Sequence, residues 1–175
     1  MVDRWVISDT HFGHKNILTF NHDGKPVREF SSVEEMDEII VQNWNKVVKQ
    51  DDIVYHLGDV VIGSGDNINH LSIIDRCNGL KVLVKGNHDL LDDSVYLRHF
   101  ANVFAMIIPK NKKMSRMIMS HFPIHESCVD RFKINLHGHI HSASLNDNRY
   151  INCCVDYPGN DYSPLNLEAI RDKVV

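Results

Sequence analysis

Two aspartates, one asparagine and five histidines stand out in this chain as short polar clusters: Asp9-Thr10-His11, Gly58-Asp59, Gly86-Asn87-His88, Ser120-His121 and Gly138-His139-Ile140-His141. The donors on offer are carboxylate oxygen, amide oxygen and imidazole nitrogen, with no thiolate among them. That mixture suits Mn²⁺ first, and also Fe, Zn²⁺ or Ni²⁺, in a catalytic role; a structural zinc site would lean on cysteine. A spacing of two lets Asp9 and His11 face one way at a strand end, and His139 and His141 likewise. Seven candidate ligands result: Asp9, His11, Asp59, Asn87, His121, His139 and His141. One tetrahedral ion cannot use seven. Two ions about 3.5–4 Å apart, sharing one bridging carboxylate, would use them all.

The elements that must position these clusters can be read from the apolar runs between them. Trp5-Val6-Ile7-Ser8-Asp9, Ile53 to Leu57 and Leu80 to Val84 read as strands. Ser32 caps a helix carrying Met36, Ile39, Ile40, Asn43, Trp44 and Val47, with Glu35 completing a capping box. Ile68, Leu71, Ile74 and Cys77 predict a second helix, closed by Asn78-Gly79. A short helix follows around Ser94 to Phe100. Val103 to Ile108 and Lys113 to Ser120 read as a hairpin, then come strands at Phe132 to Leu136 and Arg149 to Val155 and a closing helix from Leu167 to Val174. Residues 10–30 read as a long loop, and Gly63 to Asp66 as another. Alternation of strand and helix at the start predicts an α/β domain with parallel strands there. Every polar cluster falls at or just after a strand end, where ligands bind in open α/β sheets. The glycines at 58, 86 and 138 immediately precede ligands and permit close backbone approach.

A length of 175 residues favours one domain, 1–175. A 43% hydrophobic fraction is enough for a core without disulfide staples, and Cys77, Cys128, Cys153 and Cys154 form no CxxC pair. They read as buried thiols of a reducing compartment. No apolar run is long enough for a signal peptide or a bilayer span, so a cytoplasmic protein without membrane contact is expected. The net charge of −4 gives no strong electrostatic case for nucleic acid, although a metal cluster would change the local sign.

The ordered series Asp-x-His, Gly-Asp, Gly-Asn-His-Asp, His, Gly-His-x-His, spanning residues 9 to 141, resembles the calcineurin-like metallophosphoesterases. The segment Asp9 to Ile17 is similar to small bacterial and phage members. The resemblance implies a four-layer α/β/β/α sandwich with mixed sheets. It implies one metal on Asp9, His11 and His141, another on Asn87, His121 and His139, and Asp59 between them. It implies a bridging hydroxide attacking phosphorus in line, with catalytic roles for His88, Asp59 and Asn87. His88 would act as general acid or donor to the transition state. Asn87, His88, His14 and Arg28 would meet the substrate, a phosphodiester or phosphomonoester of a small nucleotide-like compound. Departures from the family pattern, Val60-Val61-Ile62 after Gly-Asp and Ser120 before His121, fall in the pocket and remove no ligand.

Bland readings compete at other positions. Arg28 has a fork that fits an oxyanion, and equally a loop salt bridge. His14 lines the pocket mouth or the surface. His56 and His137 read as packed or supporting residues, and His22, His70, His99 and His125 as surface histidines. Lys110, Lys112, Lys113 and Arg116 read as a solvated hairpin tip, and Met114, Met117 and Met119 as strand packing. Two alternatives stand beside a small-molecule phosphoesterase: a nuclease on polymeric nucleic acid, which needs a basic track, and a non-catalytic binding module that retains the fold.

Overall fold

In a computed structural model describing residues 2–22, 24–62, 68–109 and 116–174, the three early apolar runs become parallel strands with a shared register. They are β1 (Arg4–Ile7), β4 (Ile53–His56) and β5 (Leu80–Val84), with Ile7 level with His56 and His56 level with Leu83. β6 (Asn102–Phe104) continues this sheet in parallel beside β5, and β11 (Leu165–Asn166) closes the other edge antiparallel to β1. The order is β11-β1-β4-β5-β6. A second mixed sheet runs β10-β9-β8-β7, from β7 (Met106–Ile107), β8 (Met117–Ser120), β9 (Ile134–His137) and β10 (Tyr150–Asn152). Strands β8 and β9 are parallel, with Met119 level with Leu136.

The period-two alternation decides the packing. Val6 and Val84 on one sheet meet Met117, Met119, Ile134 and Leu136 on the other in a buried cluster, so the sheets lie face to face. The alternate residues Ile7, Val54 and Leu83 turn the other way, onto Met36, Ile40 and Trp44 of helix α1 (Val33–Val47). Ser32 caps α1 by accepting from the Glu35 amide at 3.1 Å. The Glu35 carboxylate turns to the amide and hydroxyl of Ser31, one residue upstream of the expected return bond.

Several elements differ from the sequence expectation. The 68–77 helix breaks into α2 (Ile68–Leu71) and a 3₁₀ turn, Ser72–Arg76, which closes with an i to i+3 bond from Cys77 to Ile74. The helix expected around 94–100 is a single turn, α3 (Asp93–Tyr96). The expected strand from Val103 to Ile108 splits at Ala105: β6 belongs to the first sheet, while β7 pairs antiparallel with β8 in the second. The loop at 10–30 holds a 3₁₀ turn, Lys15–Thr19, and a two-residue hairpin, β2 (Asn21–His22) with β3 (Lys25–Pro26). Helix α4 (Glu126–Val129) and strand β11 were unforeseen, and β11 leads straight into α5 (Leu167–Val174). Residues 63–67, the side chain of His22, Lys110, Lys112, Lys113 and Met114 lie outside the described residues. Among the described residues no helix is long and apolar enough to cross a membrane.

Candidate metal centre

The backbone ladders continue past the strand ends, and this draws the polar clusters together. Asp9 donates its amide to Gly58, His11 to Asp59 and Phe12 to Val60, all at about 3.0 Å. In the second sheet Gly138 donates to the carbonyl of His121 at 2.9 Å. The two sheets are stitched where β1 ends: Ser8 donates to Cys153 at 2.8 Å, and Val155 donates to Ser8 at 3.1 Å. Asp9, Asp59 and Asn87 from one sheet therefore face His121, His139 and His141 from the other.

Two groups of ligand atoms lie within 4.8 Å of one another: Asp9, His11 and His141, and Asp9, Asp59 and His121. Asp59 Oδ2 stands 3.7 Å from His11 Nε2 and 3.5 Å from His121 Nε2, between the two imidazoles. His11 Nε2 is 3.7 Å and His141 Nε2 4.0 Å from Asp9 Oδ1. These gaps are too long for hydrogen bonds. They match the separation of two ligands that each reach about 2.0–2.2 Å to one ion. Buried Asp9 Oδ1 and both ring nitrogens of His11 have no hydrogen-bond partner among the described residues. Such orphaned atoms are costly unless something charged satisfies them, so the donor set fits a cation. Asn87 Oδ1 lies 2.9 Å from His121 Nε2. His139 lies outside both groups; its ring stands edge-on to His121, centroids 5.2 Å apart, and its amide donates to Asp9 Oδ2.

Supporting contacts fix each ligand. His121 Nδ1 donates to the Leu57 carbonyl at 2.8 Å, and His141 Nδ1 to Asp156 Oδ2 at 2.9 Å. Both leave Nε2 turned to the cluster, the orientation a metal-binding imidazole needs. Cys154 Sγ donates to Asp9 Oδ2 at 3.2 Å, and the His88 amide to Asp59 Oδ1 at 2.9 Å. Glycine at 86 and 138 makes the closeness possible. A Cβ at Gly86 would stand 2.2 Å from Asp59 Oδ1, and one at Gly138 2.3 Å from Asp9 Oδ2. The backbone is unusual as well: Asp9, His11, Asp59, His139 and His141 all have φ between 48° and 70°, left-handed values that non-glycine residues seldom adopt.

The electrostatics suit ligation, which needs carboxylate and neutral imidazole. Burial works to raise the Asp9 pKa, yet hydrogen bonding and attraction from His11 hold its carboxyl far below the usual range. Burial pushes His11 and His139 down, towards the neutral ring. At His141 burial is outweighed by Asp156, which raises the pKa. His14 is half-buried with its ring 5.7 Å from that of His11, and burial followed by repulsion from His11 lowers it to about 4. His88 also lies 5.7 Å from His11, edge-on.

Arg28, expected to meet the substrate, lies inside the scaffold. Its side chain is fully buried, and its guanidinium bonds Asp156 Oδ2 at 2.9 Å and the carbonyls of Thr10 and Asp9. Each of its three nitrogens bonds a group of the scaffold. His70, expected at the surface, packs over the backbone of Gly13. His56 and His137 are buried as expected, and burial lowers both, His56 to about 3. The His56 ring accepts from the Gly58 amide and faces Thr10 Oγ1 at 3.0 Å, bracing the turn before Asp59.

Three residues that support the candidate centre were missed from sequence. Asp89 accepts from the amides of Asp59, Val60 and Gly86 at 2.7–3.1 Å, and burial raises it to about 6 against those donors. Asp156 ties Arg28 to His141, and Cys154 touches Asp9. Asp89 carried a signal in its place beside Asn87-His88; the other two had none, since their partners lie more than a hundred residues away or across a sheet boundary.

The family model described as calcineurin-like phosphoesterase matches residues 4–173. An uncharacterized protein of Methanocaldococcus jannaschii is 30% identical over 171 residues, 95% of this chain and 88% of that protein. The Gene 66 protein of Mycobacterium phage L5 is 30% identical over 173 residues, covering 83% of this chain and 80% of its own length. A crystal structure of a protein of unknown function from Aquifex aeolicus superposes with a TM-score of 0.75 at 30% identity, each chain covered in full.

Proposed function

The chain belongs to the calcineurin-like phosphoesterase family, and from that premise we propose that residues 1–175 form one domain that hydrolyses a phosphodiester or phosphomonoester of a small nucleotide-like compound. Asp9, His11 and His141 would hold one divalent cation, and Asn87, His121 and His139 a second, with Asp59 serving the pair; Mn²⁺ would be the first choice for both. The observation that carries this reading is the convergence of buried, partnerless Asp9 Oδ1 and His11 nitrogens on the Nε2 atoms of His121 and His141 and on Asp59. When bound, the cations supply Lewis acidity and a water acidified to near neutral pH.

The chain's own groups do the rest. Leu57 and Asp156 fix the tautomers of His121 and His141. Asp89 braces the turn that presents Asp59. Asn87 contributes its amide to the phosphoryl oxygens, and His14, neutral at physiological pH, lines the mouth as an uncharged donor. His88, anchored through its amide on Asp59, gives a proton to the departing ester oxygen. General acid catalysis of this kind is worth about 10²–10⁴-fold.

The test is turnover of bis-p-nitrophenyl phosphate and p-nitrophenyl phosphate by the Mn²⁺-supplemented protein, with elemental analysis of the purified protein. Asp59→Ala should lose both metal and activity, whereas His88→Asn should keep the metal and lose about 10²–10⁴ in kcat. Absence of turnover with both esters and a nucleotide panel, in protein that binds no Mn²⁺, refutes the reading.

A further inference from the structure

A cavity of about 560 Å³ opens where the edges of the two sheets meet, lined by Lys85, Phe104, Met106, His121, Phe122 and Ile124 among others. That is the size of an ordinary small-molecule site. Its walls present Phe104, Met106 and Phe122, which are 44%, 53% and 50% exposed. Large apolar side chains gathered at one concavity mark a binding surface more often than chance exposure. The splitting of the chain at Ala105 makes this concavity, because β6 delivers Phe104 from the first sheet and β7 delivers Met106 from the second.

The cavity is continuous with the candidate centre. His121 belongs to both. The Phe122 ring lies 5.0 Å from that of His121 and 4.5 Å from that of His139, tilted so that it borders both imidazoles. Ser120 donates its hydroxyl to the Phe122 carbonyl at 2.6 Å and so holds the turn that carries the ring. The charge of the walls is spent internally. Lys85 Nζ bonds Asp93 Oδ1 at 2.7 Å and the Leu91 carbonyl at 3.1 Å, and lies over the Tyr96 ring. Among the described residues that line the cavity, Lys85 is the only lysine or arginine, and its charge is already paired.

We propose that this cavity holds a planar aromatic substituent of the phosphoester, a nucleobase or an aryl ring, with the Phe122 ring as its stacking partner and Phe104 and Met106 as the opposite wall. The proposal rests on the phosphoesterase reading and specifies what the ester carries. Stacking of a base on an aromatic side chain is worth about ten-fold or more in affinity.

The experiment is calorimetric titration of the Mn²⁺-loaded protein with non-hydrolysable phosphonates that share one headgroup: methylphosphonate, phenylphosphonate and the methylenephosphonate analogue of AMP. Phenylphosphonate or the nucleoside analogue should bind about ten-fold more tightly than methylphosphonate. Comparison of those two arms tells aryl from nucleobase. Phe122→Ala should remove the advantage of the aromatic ligands over methylphosphonate. Because Phe122 adjoins His121, Phe104→Ser provides a second variant away from the centre, with a partial loss expected. Equal binding of all three ligands, or an advantage untouched by both substitutions, overturns the aromatic pocket and leaves the phosphoesterase reading standing. Failure of methylphosphonate itself to bind, with no ester turnover, overturns that reading and the pocket with it.

Discussion

Replacing Asp156 by asparagine should lower stability by about 3 kcal/mol and metal affinity by about ten-fold. The Asp156 side chain is fully buried, and one oxygen, Oδ2, accepts from both Arg28 Nε and His141 Nδ1, each at 2.9 Å. The other oxygen has no partner among the described residues. Asparagine can put its carbonyl oxygen in the Oδ2 position and keep both bonds, losing the charge and setting its amide N–H groups where Oδ1 stood. Arg28, also fully buried, is then a cation without its counter-ion. Removing one member of a buried pair costs about 3–5 kcal/mol. The lower end applies, because Arg28 retains the carbonyls of Thr10 and Asp9. With a urea slope of about 2 kcal/mol per molar, the unfolding midpoint should fall by about 1.5 M. His141 keeps its orientation but loses a negative partner. Its affinity loss should sit near the bottom of the roughly 10–100-fold range for such supporting groups, while Asp156→Ala, which also frees the ring, should approach the top. Urea unfolding in chelator reads the first effect, and Mn²⁺ calorimetry the second. An Asp156→Asn midpoint within about 0.3 M of the parent would contradict the stability argument. Asp156→Ala binding Mn²⁺ as tightly as the parent would contradict the orienting role.

Two further perturbations probe the frame. Asp37 accepts from the Gly13 amide in a buried position, and burial raises its pKa from 3.8 to about 6. The folded pKa exceeds the unfolded one, so its contribution is present below about pH 4 and is lost as pH rises through 6. Asp37→Asn should accordingly gain on the parent between those values, by about 2 kcal/mol once residual solvent contact is allowed for, as read by urea midpoints across pH; a constant difference would exclude this. Gly138→Ala places a Cβ 2.0 Å from Ser8 Oγ and 2.3 Å from Asp9 Oδ2. It should displace the carboxylate, reducing metal content by elemental analysis and activity by about a hundred-fold with the circular dichroism unchanged; full metal occupancy would refute the crowding argument.

Much of this molecule could be read from its sequence because its chemistry is punctuated locally. Each of β1, β4, β5, β8 and β9 is a short apolar run followed at once by a polar cluster, and parallel pairing sets those clusters side by side. What could not be read depends on distance or on chain path. Arg28 was equally suited to a phosphate and to a carboxylate, and its carboxylate, Asp156, lies 128 residues downstream. The break at Ala105 has no glycine or proline to announce it; only the pairing of Phe104 with Val84 and of Met106 with Ser120 separates the two strands. The two-residue strands β2, β3, β7 and β11 are too short for any period to register.

The left-handed torsions at Asp9, His11, Asp59, His139 and His141 set function and robustness against each other at the same positions. Each is a conformation that glycine adopts freely and other residues adopt at a cost of roughly 1 kcal/mol or more. Replacement by glycine would relieve the backbone and, at the aspartates, also take a buried charge out of the interior. At His11 and His139 that relief would cost no ring hydrogen bond, whereas at Asp9, Asp59 and His141 it would forfeit the bonds shared with the His139 amide, the His88 amide and Asp156. The strain is therefore concentrated on side chains of the candidate centre, where stability and geometry pull in opposite directions.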